Sequence, residues 1–529
     1  MQIAREMPKQ AQGTIALETA TASPNRCSPA HLPKPNLPGA TILNVQAQEA
    51  HNYSAVSLGP GTNDGGRYTI NFCNVTVTHT HPGWNDSINT QIWLPLESNW
   101  NGRFQALGGG GYSTGFGSIY LTYAVAQGFA SASTDGGVSA SGGTIPTDLS
   151  WSLSSEGNVN WFLLEDYASK ATNDMAVIGK QITRGYYGRP ARYSYFAGCS
   201  GGGRQGLMMA QDYPDVFDGI LAVSPAINPE TFIPAGYWGV QVMNQDRVFP
   251  SPCEIEGFMS KAVEACDRLD GVADGIVSLP GLCHVRAVDF VGQNYTCGGS
   301  HVQHTLTAGG AKVVDAAWSG SGSGSEEEGG WFGLNKDADI TSYYLPTTCA
   351  ANGTACTVGN SDLSGNWFQY LVAKDPNFEM SNLPESAFFS MLRESTRKYG
   401  SMLGSNNPDL SEFKANGGKI ITWHGLADEV IPPNGTVGYY EEVLKLDGKA
   451  RDFFRFFEAP GVGHCYGGLG PIPNGALSQL MEWVEKDQTP DTLHATKGSN
   501  DTARDLCPYP LRQMFVGGDP RNATSFACA

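Results

Sequence analysis

The segment Gly198-Cys199-Ser200-Gly201-Gly202 constrains the fold more than any other part of this 529-residue chain. It follows a short strand-like run at Tyr193–Ala197 and precedes a helical pattern over Gln205–Tyr213. A Gly-x-Ser-x-Gly turn between a strand and a helix lifts its serine above the edge of a parallel sheet, because the tight turn needs small neighbours. The motif therefore predicts an α/β sheet and makes Ser200 the candidate nucleophile.

Strand and helix patterns alternate at both ends of the chain, which favours a layered α/β fold. Strand patterns occur at Tyr68–Phe72, Ile92–Leu94, Arg103–Leu107 and Lys419–Trp423, and helical patterns at 157–184, 436–446 and 475–487. The stretch 228–404 breaks this alternation and holds six of the 12 cysteines. We predict an α/β domain formed by 1–227 plus 405–529, with 228–404 as an inserted domain.

The charge balance excludes two classes of partner. Lys and Arg number 33 against 51 Asp and Glu, a formal net charge of −18, and no basic stripe is visible. Binding to a phosphate backbone depends on clustered cations, so we predict no nucleic-acid partner. An anionic membrane surface is excluded on the same ground. No stretch approaches the ~18 consecutive apolar residues of a membrane-spanning helix.

The cysteines and glycosylation sequons indicate an oxidising, secretory route. The 12 cysteines lack the Cys-x₂-Cys pairs of zinc modules. Eight Asn-x-Ser/Thr sites occur, at Asn52, Asn74, Asn85, Asn294, Asn352, Asn434, Asn500 and Asn522. Residues 1–26 contain no apolar signal core. We expect a secreted protein whose signal segment is missing from this sequence.

A nucleophilic serine needs a base, and the base needs a partner that orients it. Asp428 follows the strand pattern at Lys419–Trp423, and His464 lies in a Gly-rich loop, which gives the order Ser, Asp, His. Two residues compete for these roles, Asp452 as the acid and His494 as the base. His424 precedes the acid, so we interpret it as a packed loop residue.

Cysteines flank both catalytic candidates: Cys199 precedes Ser200, and Cys465 follows His464. If the serine and histidine lie within hydrogen-bond reach, their neighbours fall within the ~5.5–6 Å Cα separation of a disulfide. We predict that Cys199 and Cys465 are joined.

The combination of Cys-Ser, Asp and His-Cys in this order resembles the tannase and feruloyl esterase family. Further segments similar to that family are Trp100–Phe104, Thr134–Gly137, Tyr195–Gly206, Asp375–Phe378, Gly417–Asp428 and Gly461–Pro471. The resemblance implies an α/β-hydrolase fold with an inserted lid at 228–404. It also implies a serine esterase that cleaves esters of phenolic acids, either small molecules or plant cell-wall oligosaccharide esters.

Within that family the length of the chain and its single long insertion favour a feruloyl esterase over a tannase or a related aryl esterase. A non-catalytic binding module on the same fold is disfavoured, because all three triad candidates are present. The oxyanion of such an esterase needs backbone N–H donors. Gly201 supplies one, and either Gly110 or Gly111 supplies the second.

The segment Asp267–Ile276 holds three carboxylates among glycines, which suits either a calcium ion or a solvated acidic turn. The resemblance implies calcium in the lid, bound by the side chains of Asp267, Asp270 and Asp274 and the backbone oxygens of Val272 and Ile276. Cys266 and Cys283 bracket this loop and are expected to be bridged. Cys27, Cys73, Cys507 and Cys528 are also expected to form disulfides.

Two further patterns receive a structural interpretation. His79 and His81 alternate on one strand, as in a metal site, but no third ligand is evident. The aromatic residues of the insertion are expected to be mostly core, with a few that stack on a phenolic ring: Phe232, Tyr237, Trp238, Trp331, Phe332, Trp367, Phe368, Phe388 and Phe389.

Overall fold

A nine-stranded mixed sheet forms the centre of the protein. The structure, a computed structural model, describes residues 26–138, 146–298, 303–322, 330–350, 355–498 and 502–529. The strands are β1 (Thr41–Ser57), β2 (Gly66–Thr80), β3 (Ile88–Pro95), β4 (Arg103–Leu107), β5 (Ala130–Thr134), β6 (Tyr193–Cys199), β7 (Gly219–Val223), β8 (Lys419–Gly425) and β9 (Phe454–Ala459). Their order across the sheet is β1-β2-β3-β5-β4-β6-β7-β8-β9.

The sheet has an antiparallel and a parallel part. Strands β1, β2, β3 and β5 pair antiparallel, and the pairs from β5 through β4 to β9 are parallel. The parallel strands are nearly continuous apolar runs, as expected where both faces are covered; every residue of β7 is buried. Ser200 follows β6, Asp428 follows β8 and His464 follows β9. The three candidates therefore lie beyond the carboxyl ends of parallel strands, where α/β sheets carry their sites.

Helices cover the sheet and build the insertion. They are α1 (Ser118–Ala126), α2 (Trp161–Glu165), α3 (Ala171–Tyr187), α4 (Gly201–Asp212), α5 (Pro229–Ala235), α6 (Trp238–Asp246), α7 (Pro252–Cys266), α8 (Ala308–Ser319), α9 (Asp362–Asn366), α10 (Glu385–Leu403), α11 (Ser411–Ala415), α12 (Asn434–Leu446) and α13 (Ala476–Lys486). The helices predicted at 205–213, 436–446 and 475–487 correspond to α4, α12 and α13.

The helix predicted at 157–184 differs from the structure at its start and in its middle. Leu153–Ser155 and Asn158–Val159 pair as a hairpin around Gly157, whose φ of 79° requires glycine. The helix begins only at Trp161, where the Asn160 side chain accepts a hydrogen bond from the Leu163 N–H. Between α2 and α3 the residues Asp166–Lys170 are π-helical.

The segment between β7 and β8 adds no described residue to the nine-stranded sheet. It contains α5 to α11, π-helical Trp367–Ala373 and two short strand pairs, Asn294–Thr296 with Gln303–Thr305 and Thr347–Cys349 with Cys356–Val358. Its apolar core is shared with residues that precede the insertion, such as Tyr112, Leu149 and Leu164. The inserted segment therefore packs as a continuation of the α/β domain.

Six disulfides join Cys27 to Cys73, Cys199 to Cys465, Cys253 to Cys297, Cys266 to Cys283, Cys349 to Cys356 and Cys507 to Cys528. After β9 the chain ends in two hairpins, Leu493–Lys497 with Thr502–Leu506 and Gln513–Phe515 with Phe526–Cys528. Among the described residues, no helix combines the length and apolar character needed to cross a membrane.

Candidate active site

Ser200 sits at the sharp turn between β6 and α4, in a backbone conformation that side chains rarely adopt. Its φ is 63° and its ψ is −124°, which is the strained geometry of a nucleophile elbow. The turn also needs glycine close by: a Cβ on Gly198 would lie 2.5 Å from backbone atoms of Gly202. A Cβ on Gly202 would lie 2.8 Å from the Gly109 carbonyl oxygen. The local sequence thus fixes where the Ser200 side chain emerges.

His464 and Asp428 are hydrogen-bonded to each other. The His464 Nδ1–H lies 2.9 Å from Asp428 Oδ2 and 3.1 Å from Oδ1. Asp428 is fully buried, and the side chain of His464 is 8% exposed. With Nδ1 engaged as a donor, Nε2 is the ring nitrogen left to act as a base.

Backbone groups hold Asp428 in place. Its Oδ1 accepts hydrogen bonds from the N–H groups of Val430 at 2.9 Å and Ile431 at 2.8 Å. Burial opposes ionisation of this carboxyl, but His464 and His424 outweigh burial, so the pKa of Asp428 lies below its usual value. Asp428 is therefore a buried carboxylate that orients an imidazole.

His424 is the second imidazole on Asp428, and the sequence interpretation missed this role. It is fully buried within β8, and its Nε2–H donates to Asp428 Oδ2 at 3.0 Å and the Ile431 carbonyl at 3.1 Å. Thr436 donates to its Nδ1 at 2.8 Å. Because both neighbours of Nε2 are acceptors, His424 is a fixed donor that helps to position the acid.

Glu429 is a second group that the sequence analysis did not single out. Its Oε2 accepts a hydrogen bond from the His464 backbone N–H at 3.0 Å. Burial of the His464 ring disfavours its charged form, but Asp428 first and Glu429 next outweigh burial, so the pKa of His464 is raised. Burial and the neighbouring Asp428 in turn raise the pKa of Glu429. Its place directly after Asp428 is the only sequence signal that could have found it.

The competing candidates lie elsewhere. His494 is on the surface, where its Nδ1 pairs with Asp505 at 2.8 Å and its side chain is 60% exposed. Asp452 ends a short 3₁₀ turn, Ala450–Asp452, before β9. Neither residue lines the cavity that contains Ser200 and His464.

The Cys199–Cys465 disulfide, which the sequence predicts, ties together the loops that carry Ser200 and His464. Its Cα atoms are 5.8 Å apart across 266 residues of sequence. Cys199 is the last residue of β6, and Cys465 follows β9 with a φ of 65°. The bridge fixes the loop of His464 against the turn of Ser200.

Ser200 and His464 open into one cavity of about 540 Å³ between the sheet edge and the insertion. The apolar and aromatic residues of its wall are Phe116, Tyr120, Tyr167, Phe232, Ile233, Tyr343, Leu363, Val430, Ile431, Tyr466 and Leu469. Of the insertion aromatics singled out in the sequence, Phe232 lines this cavity. The other eight pack in or against the core of the insertion. The size and lining suit a small aromatic ligand.

Two backbone N–H groups remain as donors at the cavity wall. Gly110 N–H donates to the Ser113 carbonyl at 3.2 Å. Among the described residues, the N–H groups of Gly111 and Gly201 have no protein acceptor. The two loops are in close contact, because a Cβ on Gly201 would lie 3.3 Å from the Gly110 Cα. Of the two candidate glycines, Gly111 rather than Gly110 therefore has an N–H group without a protein acceptor among the described residues.

In the acidic loop of the insertion, Asp267–Ile276, carboxylates accept hydrogen bonds from the backbone of the loop itself. Asp267 Oδ1 accepts from the N–H groups of Asp274 and Gly275, both at 3.0 Å. Arg504 lies 3.2 Å from Asp274 Oδ2. Burial first, and then the charge of Asp270, raise the pKa of Asp274. The loop thus places three carboxylates, those of Asp267, Asp270 and Asp274, near one positive charge, Arg504.

His79 and His81 are surrounded by carboxylates, so the interpretation that no third ligand is available is wrong. Asp86, Asp166 and Asp174 gather around the two rings, and all five residues are buried. The carboxylates lie in the turn after β2 and on the distant helical segment of α2 and α3, so spacing along the sequence does not reveal them. We call these five residues the sealed cluster.

Comparison with known proteins agrees with the geometry of the site. A sequence model described as tannase and feruloyl esterase matches residues 73–529. A probable feruloyl esterase of Arthroderma benhamiae is 38% identical over 510 residues, which cover 94% of this chain and 93% of that protein. A tannase of Aspergillus oryzae is 27% identical, covering 90% of this chain and 88% of that protein.

A solved structure, the tannin acyl hydrolase from Aspergillus niger, has a TM-score of 0.83 and 28% identity, with 94% of this chain and 93% of that chain covered. The fold and these relatives define a carboxylic ester hydrolase, and the predicted α/β-hydrolase fold is confirmed. More particularly, the chain belongs to the tannase and feruloyl esterase family. It is a hydrolase of phenolic esters.

Proposed function

We propose that the protein cleaves hydroxycinnamic esters through an acyl-enzyme on Ser200, with His464 as base and Asp428 as its orienting acid. The observation that carries this proposal is the buried Asp428–His464 hydrogen bond beside a strained serine turn, the two loops being bridged at Cys199–Cys465. His464 Nε2 takes the hydroxyl proton as Ser200 attacks the ester carbonyl, and returns it to the leaving alcohol.

Charge then develops on the carbonyl oxygen, and the N–H groups of Gly201 and Gly111 are the proposed donors to it. Water activated by the same histidine attacks the acyl-enzyme and releases the phenolic acid. Asp428 stays ionised throughout and stabilises the imidazolium form of His464. His424 acts through Asp428 as a positioning residue.

The preferred substrate is proposed to be a feruloyl ester. The relative described as a probable feruloyl esterase, at 38% identity, supports this choice. The test is the rate of hydrolysis of methyl ferulate, methyl caffeate and methyl gallate under one set of conditions. We expect the highest kcat/KM on the hydroxycinnamates, with Ser200→Ala as the blank.

Tannase activity is the second candidate, because the fold matches a tannin acyl hydrolase at a TM-score of 0.83. A preference for methyl gallate over methyl ferulate would establish this alternative. No hydrolysis of any of the three esters by correctly folded protein would reject both candidates and revive a binding role.

We also propose that the lid holds a calcium ion at Asp267, Asp270 and Asp274, with the backbone oxygens of Val272 and Ile276. The ion would stabilise the folded loop by mass action and take no part in ester cleavage. EDTA should therefore lower the melting temperature, and calcium should restore it. An unchanged melting curve, together with no calcium by elemental analysis, would reject the site.

Secretion is the proposed localisation. Among the described cysteines none is free, which suits an oxidising compartment. Five sequon asparagines are exposed (Asn52, Asn85, Asn294, Asn434 and Asn522), Asn74 is half-buried in β2, and Asn352 and Asn500 lie outside the described residues. A mass decrease on deglycosylation of protein secreted by a fungal host would support this route.

A further inference from the structure

The sealed cluster lies apart from the acidic lid loop and contains imidazole as well as carboxylate ligands. His79 and His81 come from the end of β2, and Asp174 from α3. One nitrogen of each ring and one oxygen of Asp174 all lie within 4.8 Å of one another. His79, Asp166 and Asp174 are fully buried, and His81 is 3% exposed.

Two members of the cluster have unmet bonding capacity. Neither ring nitrogen of His79 has a hydrogen-bond partner, and Nε2 lies 3.8 Å from Asp174 Oδ2. Both carboxylate oxygens of Asp166 also lack a hydrogen-bond donor. A buried polar group without a hydrogen-bond partner lowers the stability of the folded protein. The unpaired atoms of His79 and Asp166 therefore indicate that a positively charged partner is missing.

From these contacts we infer that the sealed cluster is a structural site for a divalent metal of the zinc class, bound by His79, His81 and Asp174. His81 Nε2 and Asp174 Oδ2 are 2.9 Å apart. Ligands of a tetrahedral zinc ion with bonds of ~2.0–2.1 Å are separated by about 3.3 Å. The observed separations of 2.9 and 3.8 Å lie on either side of that value.

The surroundings of His81 and Asp174 have the form of an outer ligand shell. His81 Nδ1–H donates to Asp86 Oδ2 at 2.5 Å, and Asp86 Oδ1 is held by the Thr80 hydroxyl and the His81 N–H. A carboxylate on the far nitrogen is the usual orienting partner of a metal-bound histidine. Lys170 binds Asp174 Oδ1 at 2.5 Å, which leaves Oδ2 for the ion.

The charge of the cluster also favours a dication. It has three carboxylates and one nearby ammonium, Lys170. Both nitrogens of His81 face carboxylates. With neutral imidazoles and three ionised carboxylates, a bound dication together with Lys170 would bring the formal charge of the group to zero. The mixed nitrogen and oxygen donors select a transition metal over calcium.

None of the five residues of the sealed cluster lines the cavity, but Asp166 is adjacent in sequence to Tyr167, which does. Asp166 and Lys170 are the first and last residues of the π-helical segment, which also contains Tyr167. The Tyr167 hydroxyl donates to the Gly111 carbonyl at 2.9 Å. A metal that fixes this segment therefore supports the oxyanion loop indirectly.

The test is the metal content of full-length protein produced with zinc supplementation and purified without a polyhistidine tag. A buried site loads during folding, so we expect about one zinc per chain in the protein as purified. His79→Gln removes a ligand whose ring makes no hydrogen bond in the structure, and it should abolish zinc retention. The matched control is His494→Gln, which changes the surface histidine and should retain zinc. Ser200→Ala, which is expected to be inactive, should also retain it.

Two further readouts keep the inference testable if His79→Gln does not fold. Wild-type protein produced with cobalt should show a visible absorption band that zinc abolishes. In buffer with excess calcium, which keeps the proposed lid site filled, a zinc-selective chelator should lower the melting temperature by about 2 °C, and added zinc should reverse this change. The proposal would be overturned if the wild-type protein contained no zinc and showed no cobalt spectrum. It would also be overturned if His79→Gln retained as much zinc as the wild type. Protons alone would then balance the charge of the cluster.

Discussion

Two buried groups of histidine and aspartate are built from the same side chains but differ in how completely they are paired. In the group at the cavity, each oxygen of Asp428 accepts hydrogen bonds, from two backbone N–H groups and from His424 and His464. In the sealed cluster, His79 and Asp166 have no hydrogen-bond partner. The side chains around Asp428 thus satisfy one another's hydrogen bonds, whereas those of the sealed cluster leave bonding capacity that we assign to an ion.

The comparison also separates two uses of a carboxylate beside an imidazole. Near the cavity, Asp428 alone bonds the ring of His464, through Nδ1, which leaves Nε2 for proton transfer. In the sealed cluster, whose residues do not line the cavity, three carboxylates compete for two imidazoles, which suits a bound cation. Variants of the two groups should therefore fail in different measurements, the first in turnover and the second in metal content and melting temperature.

Among the variants that test this comparison, Asp428→Asn is expected to have the largest effect on turnover. Replacing the acid of such a triad costs ~10⁴-fold in kcat, because the imidazole loses its orientation and the stabilisation of its charged form. The matched control is Asp505→Asn, which changes the acid of the surface pair with His494. That variant should keep kcat within about twofold. A similar loss in both variants, or none in Asp428→Asn, would contradict the assigned triad.

A smaller loss is expected when the bridge between the two catalytic loops is removed. Cys199→Ala/Cys465→Ala should reduce kcat by ~10²-fold, since a misplacement of ~1 Å at the reacting groups has that effect. Circular dichroism should still show a folded protein at the assay temperature. Removing the C-terminal bridge with Cys507→Ala/Cys528→Ala is the control and should leave kcat near that of the wild type. Full activity of the first double variant would show that the bridge does not position the site.

Glu429→Gln is expected to have the smallest effect, and it tests whether the charge of Glu429 acts on the pKa of His464. The base must be neutral, and the pKa of His464 is raised, so kcat/KM should fall as the pH drops through that raised pKa. The substitution keeps an acceptor for the His464 N–H but removes a negative charge. The acid limb of the pH profile should therefore move to lower pH. The exposed Glu482→Gln is the control, and an unmoved limb in Glu429→Gln would show that Glu429 does not act on His464.

Sequence motifs were sufficient to find candidate residues whose positions depend on local context. The glycines around Ser200 and the placement of His464 after a strand identify two residues that line one cavity. Asp428, found in the same way, is buried and hydrogen-bonded to His464. The rule of residue order that selected Asp428 also led to His424 being read as packing. A residue within the strand, four positions before the acid, reaches it from the other side, and chain order carries no information about that contact.

Contacts between distant segments could not be read from the sequence. Asp174 is 93 residues from His81, and its approach depends on the packing of α3 against β3, β4 and β5. The sequence also does not show how far the core of the insertion extends, because that core includes Tyr112, Leu149 and Leu164 from the preceding part of the chain. The choice of Gly111 over Gly110 depends on a single hydrogen bond from Gly110 to Ser113.

The most direct test of the central claim is covalent labelling of the nucleophile with an aryl phosphonate ester, followed by peptide mapping. The account predicts one label per chain, located on Ser200, with activity lost in proportion to labelling and protection by methyl ferulate. Ser200→Ala should take up no label and should lose on the order of 10⁶-fold in turnover. Label on another residue, or full activity after complete labelling of Ser200, would contradict the account.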